Sequence, residues 1–304
     1  MSHPRPHIAV VLAIACALFV MSAGVRLYRV SAGAIQVDEI HWKDRAHRII
    51  GKIREGNWTQ ATHEPGHPGV PPALLMAAGQ VIAQGVDERR GRSYGDPGYI
   101  DMYTSSRAAT AAFASLLAPA TFLALASVFG VTLAAIIGAL LAFDPGHVGY
   151  SRLAHLDAVM TVFTVLSTIL FYRAVEERRV GLKILSGICW GLALATKPTV
   201  LCLIPAFISY KVVRILTVDA AHDRGERRLV SISDIWAVIA GHIVLVVLYT
   251  RMWSHNSPYR TRLRVRSSLA DGLYDFGMML QAHPLLWGLA TLLIIVLVAQ
   301  TLVR

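Results

Sequence analysis

The chain has 304 residues, of which 55% are hydrophobic and only 16% charged, and its formal net charge is +10. A soluble globular domain carries about 25% charged residues, so this composition, with a mean hydropathy of +0.51, excludes that class and points to a polytopic membrane protein. The positive charge fits loops that anchor and orient membrane helices; no basic domain interleaved with aromatics argues for nucleic acid as a partner.

The first apolar segment, Ile8–Leu27, is long enough to cross roughly 30 Å of hydrocarbon. It resembles a signal-peptide core, yet no clean small-x-small site precedes Asp38, so it reads as an uncleaved anchor. Residues 28–103 are then expected to form a first extracytoplasmic loop. Within it, "VDEIHWKDRAHRII" places an acidic pair, Asp38-Glu39, where the chain has only just left the bilayer. Two readings fit that placement: solvated carboxylates at the start of a loop, or a base beside a membrane-embedded donor. The second requires hydrogen-bond reach of the attacking hydroxyl.

Trp42, Ala46, Ile49, Ile50 and Ile53 recur at helical spacing among lysines and arginines, which predicts an amphipathic helix lying in the membrane interface. Further on, "THEPGHPGVPP" spells H-E-x-x-H from His63 to His67, the pattern of zinc proteases. Pro65, Gly66 and Pro68 oppose the helix that would put both histidines on one face, so no metal site is indicated. The run "ALLMAAGQVIAQ" at Ala73–Gln84 is too short to span, and is expected to pack on the membrane surface or on other helices.

Further spans are predicted near Thr104–Val128, Val131–Phe143, Leu153–Tyr172, Lys183–Ala195, Val200–Leu216, Ile235–Thr250 and Pro284–Val303, for about eight in all. Cys16, Cys189 and Cys202 lie in apolar segments without ligand spacing and read as packing residues. "SRLAHLD" predicts a helix beginning near Ser151, with Asp157 one to two turns inside it. A carboxylate deep in a spanning helix costs about 2.5–3.5 kcal/mol unless water or a cation offsets it. "TKPT" sets Lys197 before Pro198, which disfavours helix at the lysine. Lys197 then marks a break at the membrane edge, as a snorkelling side chain or as a ligand for lipid phosphate.

Basic loops at Arg173–Lys183 and Tyr210–Arg228 share one side if the N-terminus is cytoplasmic. Residues 28–103, 143–157, 196–199 and 251–283 then lie outside. Arg251, Arg260, Arg262, Arg264 and Arg266 run against the charge rule there, so either the orientation is reversed or these arginines have another task, such as meeting phosphate.

The acidic pair after the first span, the His-Pro loop, "SRLAHLD" and "GLALATKPT" occur in one order. That ordered set, from about Ile8 to Leu216, resembles the GT-C glycosyltransferases of the protein O-mannosyltransferase and lipid A aminoarabinose transferase type, as does "MYTSSRAATAAFASLLAPATFLALASVFG" at Met102–Gly130. The resemblance implies an all-α polytopic fold forming a single transmembrane domain over 1–304, in the plasma membrane of a bacterium. It also implies transfer of a sugar from a polyprenyl-phosphate-linked donor to a hydroxyl of a protein or glycolipid, on the extracytoplasmic side and with inversion. On this footing Asp38 and Glu39 are the catalytic candidates, and His67, Arg152, Asp157 and Lys197 the donor-binding ones. The lipid-linked sugar is the implied donor, with no metal assigned. A non-catalytic protein that binds or moves polyprenyl-phosphate lipids is the alternative. Relatives usually continue into more spans and a soluble outer domain, so a partner subunit could supply what such a region provides.

Overall fold

The computed structural model describes residues 8–62, 69–217 and 231–248. Every regular element among them is helical. In chain order these are α1 (Ile8–Leu27), α2 (Val37–Arg54), α3 (Trp58–Ala61), α4 (Val70–Arg89), α5 (Met102–Ala114), α6 (Leu117–Phe129), α7 (Val131–Phe143), α8 (Pro145–Ser151), α9 (Asp157–Glu176), α10 (Val180–Thr196), α11 (Leu203–Thr217) and α12 (Ile232–Leu248). His63, His67, the arginines from Arg251 to Arg266 and the predicted span Pro284–Val303 lie outside the described residues.

Three stretches are long and apolar enough to cross a bilayer: Ile8–Ala32, Met102–Phe129 and Asp157–Glu176. The second contains a break at Ser115–Leu116, between α5 and α6. Pro119 explains it, because a proline four residues on has no N–H to offer the Ser115 carbonyl. A fourth crossing needs α7 and α8 together, and they are bent by 52° at Asp144. The 17 residues of α10 reach only about 26 Å at 1.5 Å per residue. The described residues are thus all-α, with spans long and apolar enough to match a membrane protein, and the tally of eight spans goes beyond what the described helices meet.

Helix crossings are set by glycine. A Cβ on Gly187 would come 2.0 Å from the Ala237 carbonyl oxygen, and one on Gly191 would come 2.5 Å from that of Gly241, so α10 and α12 touch backbone to backbone. Arg26, fully buried in α1, solves a different problem. The bend after α7 leaves carbonyls without helical donors, and the Arg26 guanidinium donates to Leu141 O (3.1 Å) and Ala142 O (2.7 Å).

Two expectations for the first loop change. Trp42, Ala46, Ile49 and Ile50 do form a buried stripe on α2, but protein covers it: Ala73, Met76 and Ala77 of α4, with Ala154 and Leu156. Helix α2 thus uses its apolar face as core, where an interfacial helix would give it to lipid. The run expected at Ala73–Gln84 extends to a 20-residue helix, started by Pro71-Pro72 in its first turn. Gly79 lets α4 approach α5, since a Cβ there would stand 2.7 Å from the Ser105 carbonyl oxygen.

Candidate active site

The α9–α10 hairpin places Asp157 and Lys197 at one end and the basic turn Glu176–Val180 at the other. Asp157 is not inside a spanning helix, as its spacing from Ser151 suggested. Helix α8 stops at Ser151, residues 152–156 are non-helical, and Asp157 opens α9. A carboxylate in a first turn is stabilised by the helix dipole, by about 0.3–1 kcal/mol, and escapes the cost of burial at mid-membrane. Lys197 follows α10 with extended backbone (φ −154°, ψ 127°), as Pro198 demands. Its Nζ lies 2.9 Å from Asp157 Oδ1.

The same 152–156 loop carries His155, which the sequence reading did not place among the site residues. Its Nδ1 is 3.4 Å from Asp157 Oδ2 and its Nε2 3.5 Å from Asp38 Oδ2. The backbone N–H of Asp157 also donates to Nδ1, at 3.3 Å. One line of contacts therefore runs Asp38, His155, Asp157, Lys197. Along it exposure differs: the Asp38 side chain is 73% exposed, His155 17%, Asp157 27% and Lys197 38%. The outermost carboxylate is thus the one a water-borne molecule reaches first.

Glu39, next to Asp38 in the first turn of α2, has the opposite environment. It is fully buried, and four donors fill its two oxygens. Arg107 Nε and the Ala154 N–H reach Oε1 at 2.7 and 2.8 Å, while Arg107 Nη2 and the Gln36 N–H reach Oε2 at 2.6 and 2.9 Å. Burial alone raises this carboxyl, but the bonds from Arg107, Gln36 and Ala154 outweigh it and hold it below the usual glutamate range. With no lone pair left to face a substrate, the carboxylate ties α2, α5 and the 152–156 loop together. Arg107 in turn donates to the Gly33 and Ala34 carbonyls, both at 2.9 Å, fixing the strand of chain that leads into α2.

Arg152 does not pair with Asp157. Its guanidinium donates to the carbonyls of Tyr28 (2.8 Å) and Arg29 (3.2 Å), at the end of α1. Arg29, Arg152 and Leu153 line a cavity of 480 Å³ there. A larger one, 560 Å³, lies on the other side of Gly33 between Lys43, Tyr94, Tyr99 and Tyr103. The Gly69 N–H donates to the Ala195 carbonyl at 2.8 Å, so the chain re-enters α4 beside the Thr196–Lys197 corner. His67 itself lies outside the described residues.

Residues 92–253, just over half of the 304-residue chain, match the family model described as dolichyl-phosphate-mannose-protein mannosyltransferase. The chain belongs to this family. It is accordingly a membrane glycosyltransferase of mannosyltransferase type, and the family uses a lipid-linked sugar donor. Arg152, His155, Asp157 and Lys197 fall within the matched mannosyltransferase region; Asp38 and Glu39 precede it. No curated protein matches the chain significantly.

Proposed function

We propose that this mannosyltransferase-family protein transfers a sugar from a polyprenyl-phosphate donor to a hydroxyl of a protein or glycolipid on the extracytoplasmic face, with inversion. The observation that carries the reading is the line from exposed Asp38 through His155 to the Asp157–Lys197 pair. It joins an exposed carboxylate to an ion pair whose Asp157 opens the spanning helix α9, which suits a boundary where a lipid donor and a polar acceptor have to meet.

In this mechanism Asp38 takes the proton of the acceptor hydroxyl as the oxygen attacks the anomeric carbon. The bond from that carbon to the phosphate oxygen breaks, and polyprenyl phosphate leaves with one more negative charge than it held as a diester. Lys197 and Arg152 meet that charge, where preorganised cations contribute most. His155 orients Asp38 through its Nε2–H, while the Asp157 backbone N–H holds the ring at Nδ1. Glu39 is a positioning residue in this account, not a catalytic one, because its carboxylate is buried and fully bonded. The basic stretch Arg173–Lys183 and the basic last turns of α11, around Lys211 and Arg214, share the opposite end of the bundle, which supports a cytoplasmic location for that end.

The test is turnover by purified protein supplied with a radiolabelled polyprenyl-phosphate sugar and a hydroxylated acceptor. Acceptor-dependent release of polyprenyl phosphate, with the opposite anomer in the product, is expected. Stoichiometric donor binding without turnover would favour a lipid-binding protein, and retention of configuration would remove the single displacement.

A further inference from the structure

At the end of the bundle away from Asp38, four helix ends meet: the close of α9, the start of α10, the close of α11 and the start of α12. A cavity of 160 Å³ opens there, lined by Arg178, Lys183, Lys211, Arg214, Ser231 and Ser233. Lys183 donates to the Ser231 and Ser233 hydroxyls at 3.1 and 2.8 Å. Lys183 and Lys211, with side chains 12% and 13% exposed, both converge on Asp234. Arg214 pairs with Glu176 at 3.2 Å, and Tyr210 donates to the same carboxylate. Four cations thus line one small space, with Asp234 bridging Lys183 and Lys211 and Glu176 held by Arg214 beside it. The connecting residues 218–230 hold three acidic side chains (Asp219, Asp223, Glu226) and three arginines (Arg224, Arg227, Arg228), so they add no net negative charge.

Arg178 has a left-handed backbone, φ 54°, at a helix end where glycine is least strained. The remaining walls include Ala174, Val175 and Ile215, which are apolar. Guanidinium, ammonium and hydroxyl groups over an apolar wall at the end of spanning helices match the phosphate and glycerol of an anionic phospholipid better than a free ion.

We propose that this cavity binds the phosphate-bearing headgroup of an anionic phospholipid, in the leaflet opposite the transfer site. The full chain, purified and reconstituted into nanodiscs, would be assayed for phosphatidylglycerol retention by native mass spectrometry and for thermal unfolding in phosphatidylglycerol against phosphatidylcholine. Wild type should retain phosphatidylglycerol and unfold at higher temperature in it, since a ligand that binds the folded state stabilises by mass action. Arg178→Gln and Lys183→Gln should weaken retention about tenfold, a loss of about 1.4 kcal/mol. Arg179→Gln, at a 69% exposed side chain on the same face but outside the cavity lining, should change it less than twofold. Equal losses in all three variants would reduce the effect to surface charge and overturn the site. Equal unfolding temperatures in the two lipids would overturn it even if the variants failed to fold. A third arm adds inorganic phosphate to protein in phosphatidylcholine: stabilisation there matching that of phosphatidylglycerol would make the ligand a soluble phosphate and refute the lipid.

Discussion

Replacing Glu39 by Gln isolates what the buried pair with Arg107 contributes. The change keeps the shape of the side chain but leaves one oxygen and one NH₂ where two oxygens accept four donors. Two of the donors then face another donor, and the Arg107 guanidinium, 2% exposed, loses its counter-charge. Breaking a buried pair from one side costs about 3–5 kcal/mol, most of it the stranded charge. The double change Glu39→Gln with Arg107→Gln should therefore be less damaging than the sum of the two singles, by at least about 1 kcal/mol. Unfolding in detergent at neutral pH measures both quantities. The pH profile adds a signed check. Because the folded carboxyl is held below its ordinary value, its contribution is complete above about pH 4.3, and it disappears as pH falls from there through the folded value. Glu39→Gln should flatten that acid limb. A single-variant cost under about 1 kcal/mol, with the limb unchanged, would refute the strut.

Lys197→Ala should weaken binding of a polyprenyl phosphate about tenfold or more, whereas Lys52→Ala, an exposed lysine paired to Glu55, should not; a titration of labelled lipid phosphate separates them. Gly187→Ala should cost about 1–3 kcal/mol by overpacking α10 against the Ala237 backbone, while Gly24→Ala, where a Cβ meets nothing within 4 Å, should be neutral or slightly stabilising in the same unfolding assay. For sidedness, a cysteine at exposed Tyr94 should react in intact cells with a membrane-impermeant maleimide, and one at Arg179 only after permeabilisation; the reverse pattern would invert the topology.

The parts of the fold that depend on local pattern were readable in the sequence. The stripe from Trp42 to Ile50 specifies α2, and Pro198 fixes the break at Lys197, because spacing and proline chemistry act within a few residues. What covers the stripe was not readable, since lipid and α4 offer it the same apolar surface. Asp157 was misplaced because nothing local announces that residues 152–156 leave the helix; that loop is held by tertiary bonds, notably the Ala154 N–H to Glu39. The Glu39–Arg107 pair joins residues 68 apart in sequence, and no spacing rule reaches that far. His155 and Arg26 did leave signals. An ionisable residue inside or beside a spanning segment calls for a partner, and both have one: His147 and the α7 carbonyls for Arg26, two carboxylates for His155.

The central claim is that Asp38 removes the acceptor proton, and Asp38→Asn tests it most directly. The substitution keeps size and exposure while removing charge and basicity, and the buried strut at Glu39 keeps the first turn of α2 in place. Turnover of the labelled lipid-linked sugar should fall by about 10²-fold or more, with donor affinity changed far less, because the proposed mechanism assigns the phosphate to Lys197 and Arg152. A correctly inserted Asp38→Asn protein that turns over at the wild-type rate would contradict the account and pass the base's role to Asp157.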